Sequence, residues 1–175
     1  MNRTFVVYVE DKPGVMNRVA SLFRARNYNI ESINSGRTHT EGVHRMTIVV
    51  KANEDQASRI EANLYKCVNV LQVADITDYP SVTWVLALVK VRATPENRTA
   101  VIQLGEVFRA RVVDVGPEAL VFEITGSAKK IDGLIDVMRP YGIIEDVRTG
   151  CASMTRASAQ SENPLAFDID DLFAA

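Results

Sequence analysis

The chain turns from a predicted strand into a predicted helix at residues 10–15, EDKPGV. Before this stretch, residues 4–9 read TFVVYV, a β-branched and aromatic run that is typical of a strand. After it, apolar side chains recur with helical spacing at Val15, Val19, Leu22 and Phe23. The motif therefore joins the end of a strand to the start of a helix.

This turn has the chemistry of a binding site for a small zwitterion. Pro13 has its φ fixed for the first helical turn, and Gly14 bends the chain tightly while leaving the backbone open to a ligand. The amides of Gly14, Val15 and Met16 are expected to point outward, and with the helix dipole they favour a carboxylate. Asp11 either caps the helix or receives the ammonium group of the ligand.

A second polar element follows the helix at residues 26–33, RNYNIESI. Asn27 suits the left-handed residue that ends a helix, and Ile30 begins an extended segment. Asn29 then stands at the start of a strand, where its amide offers two donors and an acceptor. The turn alone is ordinary helix-capping chemistry, but the two elements together favour an amino-acid site.

Composition limits the function classes. The chain has 175 residues, 47% apolar and 24% charged, which fits a folded protein long enough for two small domains. Its net charge of −2 gives no electrostatic reason to expect nucleic acid or an anionic membrane as partner. Cys67 and Cys151 have no paired spacing, and no secretion signal or membrane-length apolar run is present, so we expect a cytoplasmic protein.

Hydrophobic periodicity predicts the order strand, helix, strand, strand, helix, strand in the first half of the chain. The strands are expected near residues 4–10, 29–37, 43–51 and 68–77, with helices near 14–26 and 54–66. This is the order of a ferredoxin-like sandwich. The polar turn DYPS at residues 78–81 then breaks the pattern.

After this turn the same order begins again. Strands are expected at 82–91, 111–115, 119–125 and about 143–149, with helices from Pro95 to about 108 and from Ser127 to Arg139. The sequence thus predicts an α+β protein with two ferredoxin-like βαββαβ domains. Their expected bounds are residues 1–78 and 82–156.

Residues 157–175 form an acidic tail with no basic side chain. A flexible tail is the default interpretation, and docking into the groove of a partner is the alternative. Its acidic residues are interleaved with apolar ones, Leu165, Phe167, Ile169, Leu172 and Phe173.

No catalytic or metal constellation is found in the sequence. His39, Glu41 and His44 lie close together, but they fall in the loop between the two strands expected at the centre of the first sheet. Gly14 stands without the glycines of a dinucleotide fingerprint and without the lysine of a phosphate loop. Neither a catalytic residue nor a metal ligand is therefore predicted.

With these residues assembled, the chain resembles the small, regulatory subunit of acetohydroxyacid synthase, also called acetolactate synthase. The resemblance runs from about residue 3 to 155. Its strongest parts are VEDKPGV at 9–15, YNIES at 28–32, RMTIVV at 45–50, FRA at 108–110 and VDV at 113–115. It implies an N-terminal ACT domain, a second domain of similar topology, and a homodimer whose paired ACT domains enclose a feedback inhibitor, usually valine.

The resemblance also implies roles for particular residues. Gly14 and the amides after it would bind the inhibitor's carboxylate. Asp11 of the same chain, together with Asn29 of the partner subunit, would hold the inhibitor's polar atoms. The side-chain end of the inhibitor would be lined by Val15, Met16 and Ile30.

The sequence departs from the family pattern at two positions. Many members have Gly at the position of Asn27, a change that is benign because Asn tolerates left-handed geometry. Many have Asn at the position of Asp11, and the carboxylate here would alter effector affinity or its pH dependence.

The family places thiamine diphosphate, magnesium and FAD on the catalytic subunit. The resemblance therefore implies that this chain binds none of these cofactors and is not itself an enzyme. It would activate the catalytic subunit and make the synthesis of branched-chain amino acids, valine and isoleucine, sensitive to feedback. The alternative is a stand-alone ACT-type sensor that controls another enzyme or a transcription factor.

Overall fold

The computed structural model describes residues 1–158 and 164–165, and it contains two compact units. The first is Met1–Val82 with the described residues from Gly150 onward, and the second is Thr83–Thr149. Each unit has an antiparallel sheet and two helices, which confirms the predicted α+β class with two ferredoxin-like domains. Among the described residues, no helix is both long and apolar enough to cross a bilayer.

The first unit follows the predicted order of elements. They are β1 (Asn2–Glu10), α1 (Val15–Ala25), β2 (Ile30–Arg37), β3 (Val43–Lys51), α2 (Glu54–Leu64) and β4 (Val70–Asp75). The sheet order is β2-β3-β1-β4, and β3 is antiparallel to both β1 and β2. The expectation that β2 is central is wrong, because the crossover through α1 carries it to the sheet edge and leaves β3 between β1 and β2.

One face of this sheet packs against both helices. Alternate residues of β1 point to this face, and the apolar residues of α1 and α2 recur with helical spacing, so the apolar side chains of all three elements point into one core. Burying each large side chain of this kind contributes about 1.5–3 kcal/mol relative to leaving it exposed. The core includes Phe5, Val7, Val9, Val19, Phe23, Met46, Ile48, Ile60 and Leu64.

The end of α1 is set by Asn27, as the sequence predicts. Asn27 has φ 56°, and its N–H donates to the carbonyl of Arg24 over 3.1 Å. The N–H of Tyr28 donates to the carbonyl of Phe23 over 3.0 Å. This left-handed turn directs the chain from α1 into β2.

The second unit repeats the topology. Its elements are β5 (Ser81–Arg92), α3 (Arg98–Val107), β6 (Arg111–Val115), β7 (Ala119–Gly126), α4 (Ala128–Met138) and β8 (Ile143–Arg148), with sheet order β6-β7-β5-β8. Helix α3 begins later than the sequence predicts. The carbonyl of Thr94 accepts from the N–H groups of Asn97 and Arg98, so a separate turn holds Pro95 before the helix starts.

The chain returns to the first unit after β8. Residues 150–155, which we call the C-terminal strap, contain the strand β9 (Ala152–Thr155), which the sequence pattern does not predict. The N–H of Cys151 donates to Ser32 Oγ over 2.9 Å, and Arg45 donates to the carbonyl of Ser153. The strap is therefore held against β2 and β3.

The sheet face opposite the helices carries a small apolar cluster. Val6, Ala74 and Ile76 are buried there, and Leu165 packs against them. Apart from Leu165 and its neighbour Pro164, the predicted acidic tail lies outside the described residues beyond position 158.

We expect that replacing Gly150 with Ala will destabilise the first unit. A Cβ at this position would lie 2.1 Å from the carbonyl oxygen of Ile33, a backbone atom that cannot swing away. Overpacking of this kind costs about 1–3 kcal/mol, which urea denaturation can measure. The control is Gly36→Ala on β2, where an added Cβ meets no atom within 4 Å. Equal stability of the two variants would contradict the close packing of the strap on β2.

Candidate functional site

The predicted turn places Gly14 immediately before α1. Gly14 has φ 83° and ψ −2°, a left-handed conformation that side-chain-bearing residues adopt at a cost. The N–H of Arg18 donates to the Gly14 carbonyl over 3.0 Å and closes the first helical turn. The chain thus passes from β1 into α1 with the backbone of Gly14 exposed.

The first amides of α1 are open at this turn. The Val15 N–H makes a long 3.3 Å bond to the Lys12 carbonyl, whereas those of Gly14, Met16 and Asn17 meet no acceptor among the described residues. The first turn carries no acidic side chain, and no side chain caps it. These donors, together with the positive end of the helix dipole, can bind an anion.

A guanidinium adds positive charge beside these amides. A Cβ built on Gly14 would lie 3.7 Å from Arg18 Nη1, so the Arg18 side chain extends back along the helix toward the turn. Its Nη2 donates to Asn69 Oδ1 over 2.7 Å. Arg18 is therefore anchored where it can attract a carboxylate at the start of α1.

Asn69 connects this guanidinium to the end of β1. It has φ 74°, and its Nδ2 donates to Glu10 Oε2, which also forms a 2.9 Å ion pair with Lys12. The hydrogen bond from Lys12, followed by that from Asn69, lowers the pKa of the Glu10 carboxyl. Asn69 is not among the site residues predicted from sequence, and its one local signal is an asparagine just before a strand.

Asp11 does not cap the helix, so the capping alternative is wrong. Its N–H donates to the Gly42 carbonyl over 2.7 Å, which fixes the turn against the loop between β2 and β3. Its Oδ2 lies 3.3 Å from His44 Nε2. The Asp11 carboxylate is 45% exposed and accessible to a ligand cation.

A polar cleft opens beside Asp11. Its volume is about 380 Å³, and it is lined by Asp11 and by residues 37–44, which span the loop between β2 and β3. Within residues 1–158 and 164–165, no group of three or more His, Cys, Asp or Glu side chains is arranged to hold a metal ion. The cleft can accommodate a small polar molecule.

Asn29 and Ile30 lie at the other end of the same sheet. Ile30 pairs with Val50 of β3, whereas Glu10 pairs with Val43, seven positions earlier on that strand. At 3.3 Å per residue this separation is about 23 Å. Within one chain, Asn29 therefore cannot touch a small molecule held at the start of α1.

The remaining predicted site residues differ in how far they are exposed to solvent. Val15 is 3% exposed and belongs to the first core, so within this chain its side chain does not line an open surface. Met16 is 40% exposed next to the open amides. Ile30 packs partly against the core, and Asn29 is exposed, with its Nδ2 donating to Glu31 Oε1 over 3.0 Å.

Sequence comparison assigns the two units to described domain families. Residues 5–72 match the AHAS small subunit-like ACT domain, and residues 85–157 match the domain described as small subunit of acetolactate synthase. The chain belongs to the acetolactate synthase small-subunit family. The resemblance seen in the sequence is thereby confirmed.

Curated relatives carry the same description over nearly their full length. A probable acetolactate synthase small subunit of Archaeoglobus fulgidus is 42% identical over 90% of this chain and 99% of that protein. The acetolactate synthase small subunit of Bacillus subtilis is 42% identical over 91% of this chain and 94% of that protein.

A crystal structure of an acetolactate synthase small subunit from Thermotoga maritima is similar to this chain in fold. Its TM-score is 0.83 at 35% identity, over 89% of this chain and 98% of that one. The small-subunit family therefore accounts for both units.

We expect Glu10 to stabilise the fold in a pH-dependent way. The pKa of Glu10 is lowered in the folded chain. Its contacts therefore stabilise the folded state fully at pH values above the ordinary glutamate pKa, and this stabilisation is lost as the pH falls through the lowered pKa. Glu10→Gln should therefore be less stable than the parent at pH 7, and the difference should shrink toward pH 3, as read from urea denaturation.

Lys12→Met is the companion variant, because Lys12 is the main cause of the lowered Glu10 pKa. In the Lys12→Met variant, the free energy of unfolding should fall less between pH 7 and pH 3 than it does in the parent. A constant difference between Glu10→Gln and the parent from pH 7 to pH 3 would contradict this assignment.

Proposed function

We propose that this small subunit activates the catalytic subunit of acetolactate synthase and confers feedback inhibition by valine bound between two ACT domains. The observation that carries the proposal is the open start of α1, where amides that meet no acceptor among the described residues lie near the Arg18 guanidinium. Thiamine diphosphate, magnesium and FAD belong to the catalytic subunit, and the complex works in the cytoplasm.

The carboxylate of valine binds at the first turn of α1. The amides of Gly14 and Met16 are its donors, and Arg18 adds a charge that the hydrogen bond from Asn69 holds in place. Because Gly14 has no side chain, the carboxylate can approach the backbone directly. Charge-assisted bonds of this kind are shorter and stronger than neutral ones.

The ammonium group of valine binds on the strand side of the turn. Asp11 is the partly exposed carboxylate of this turn, whereas Glu10 is already engaged by Lys12 and Asn69. A donor surface on one side and an acceptor on the other match the two charges of an amino acid.

The second half of the site comes from a second copy of the chain. Strand β2 lies at the sheet edge, so it can pair with β2 of another copy. Antiparallel pairing about a two-fold axis between Ile33 and Asn34 sets Ile30 of one copy opposite Arg37 of the other. Asn29 of the partner subunit then lies opposite Thr38, which lines the cleft beside Asp11.

Valine regulates the enzyme by binding the two arrangements of the complex unequally. An effector shifts an equilibrium only by its difference in affinity for the two states, and a typical coupling is about 1–3 kcal/mol. Valine at the seam between ACT domains favours the arrangement in which the catalytic subunit is less active.

The direct test is acetolactate formation by the purified catalytic subunit with and without this chain. The rate should rise when the chain is added, and it should fall again with valine more than with leucine or isoleucine. If the chain binds valine but neither co-purifies with the catalytic subunit nor changes its rate, it is a stand-alone amino-acid sensor instead.

A mixing experiment tests whether the site is shared between copies. Gly14→Asp places bulk and negative charge where the carboxylate binds, and Asn29→Ala removes the amide. Each variant alone should lose valine inhibition but retain activation. Co-refolded heterodimers should regain inhibition, because one of their two sites combines the intact Gly14 of one chain with the intact Asn29 of the other.

The matched control is Gly14→Asn. The Asn side chain is nearly the same size as that of Asp and tolerates left-handed geometry, but it carries no charge. It should retain more valine sensitivity than the Asp variant. Failure of the mixed heterodimer to respond to valine, with activation intact, would show that the site is not shared in this way.

A further inference from the structure

His44 is the one residue of the cleft whose side chain reaches the Asp11 carboxylate among the described residues. Its Nε2 lies 3.3 Å from Asp11 Oδ2, while its side chain is 28% exposed. The Nε2 atom is itself enclosed and forms no aligned hydrogen bond among residues 1–158 and 164–165. The pair is therefore held together by charge when the imidazole is protonated, and no other residue in the described part of the chain hydrogen-bonds to the nitrogen.

The other charged groups around His44 come from each neighbouring element. On β2 its cross-strand partner is Arg37, and on β1 its partner is the apolar Val9. The loop between β2 and β3 contributes His39 and Glu41, both of which line the cleft. Glu10, next to Asp11, is paired with Lys12, and the first turn of α1 has no acidic residue.

We propose that His44 is a positioning residue of the effector site, whose protonated form competes with the effector's ammonium group for Asp11. This inference rests on the function proposed above. Two cations that share one carboxylate repel each other, so effector binding favours the neutral imidazole. Effector affinity then rises with pH, and binding displaces a proton wherever the His44 imidazole is protonated in the free chain.

The pH range of this effect follows from the ionisable groups of histidine and of valine. Histidine is the side chain that ordinarily changes charge between about pH 5 and pH 8, whereas the two charges of free valine are constant there. By reciprocity, a proton that weakens valine binding is itself bound more weakly when valine is present. We expect affinity for valine to be severalfold weaker at pH 6 than at pH 8.

Calorimetry on the full chain with valine as the probe tests this inference. Titrations at pH 6, 7 and 8 in two buffers with different ionisation heats give both the affinity and the number of protons released. The parent should release protons when it binds valine, while His44→Gln should release none and show a flat pH profile. His39→Gln is the matched control, because the chain has 2 histidines and His39 lines the same cleft.

Proton release by His44→Gln equal to that of the parent would overturn the inference while leaving valine binding intact. No valine binding by the parent at any of these pH values would overturn the proposed function as well. If His44→Gln does not fold, imidazole NMR of the parent decides, with His39→Gln giving the assignment. Added valine should then move the His44 titration to lower pH, and an unmoved titration would refute the competition.

Discussion

The crossover from β1 through α1 to β2 is the constraint on which the site depends. Because β1 and β2 both run antiparallel to β3, they are parallel to each other, and α1 must span the sheet between them. The start of α1 and the start of β2 therefore lie at opposite ends of the sheet. Gly14 and Asn29 are fixed apart by the same geometry that builds the core. A small amino acid that contacts both residues requires two chains.

A ligand bridging two chains acts differently from one enclosed within a single domain. It binds only where the two copies are paired, so it stabilises that pairing by a free energy that grows with the logarithm of its concentration once this exceeds its dissociation constant. An amino acid too small to span a domain can in this way bias the arrangement of a whole assembly. The edge position of β2 offers a surface for the proposed pairing, since edge strands present unpaired backbone groups.

Sequence patterns over a few residues predict the features of this fold that depend on neighbouring residues. The order of elements, the left-handed Asn27 and the exposed Gly14 turn follow from periodicity and turn chemistry over a few residues. The strap, the Arg18–Asn69 bond and the approach of His44 to Asp11 depend on sheet order and register. Arg18 and Asn69 are 51 positions apart, and no pattern within either segment specifies that they meet.

The charges at the turn explain why a zwitterion fits better than a simple anion or cation. Lys12 and Arg18 are balanced by Glu10 and Asp11, so the turn as a whole is close to neutral. The positive groups and open amides lie on the helix side, and the Asp11 carboxylate lies on the strand side. A dicarboxylate would face Asp11, and an amine would face the amides. A ligand with both charges satisfies both sides, and in the proposed competition the charge of His44 sets how fully Asp11 is available to it.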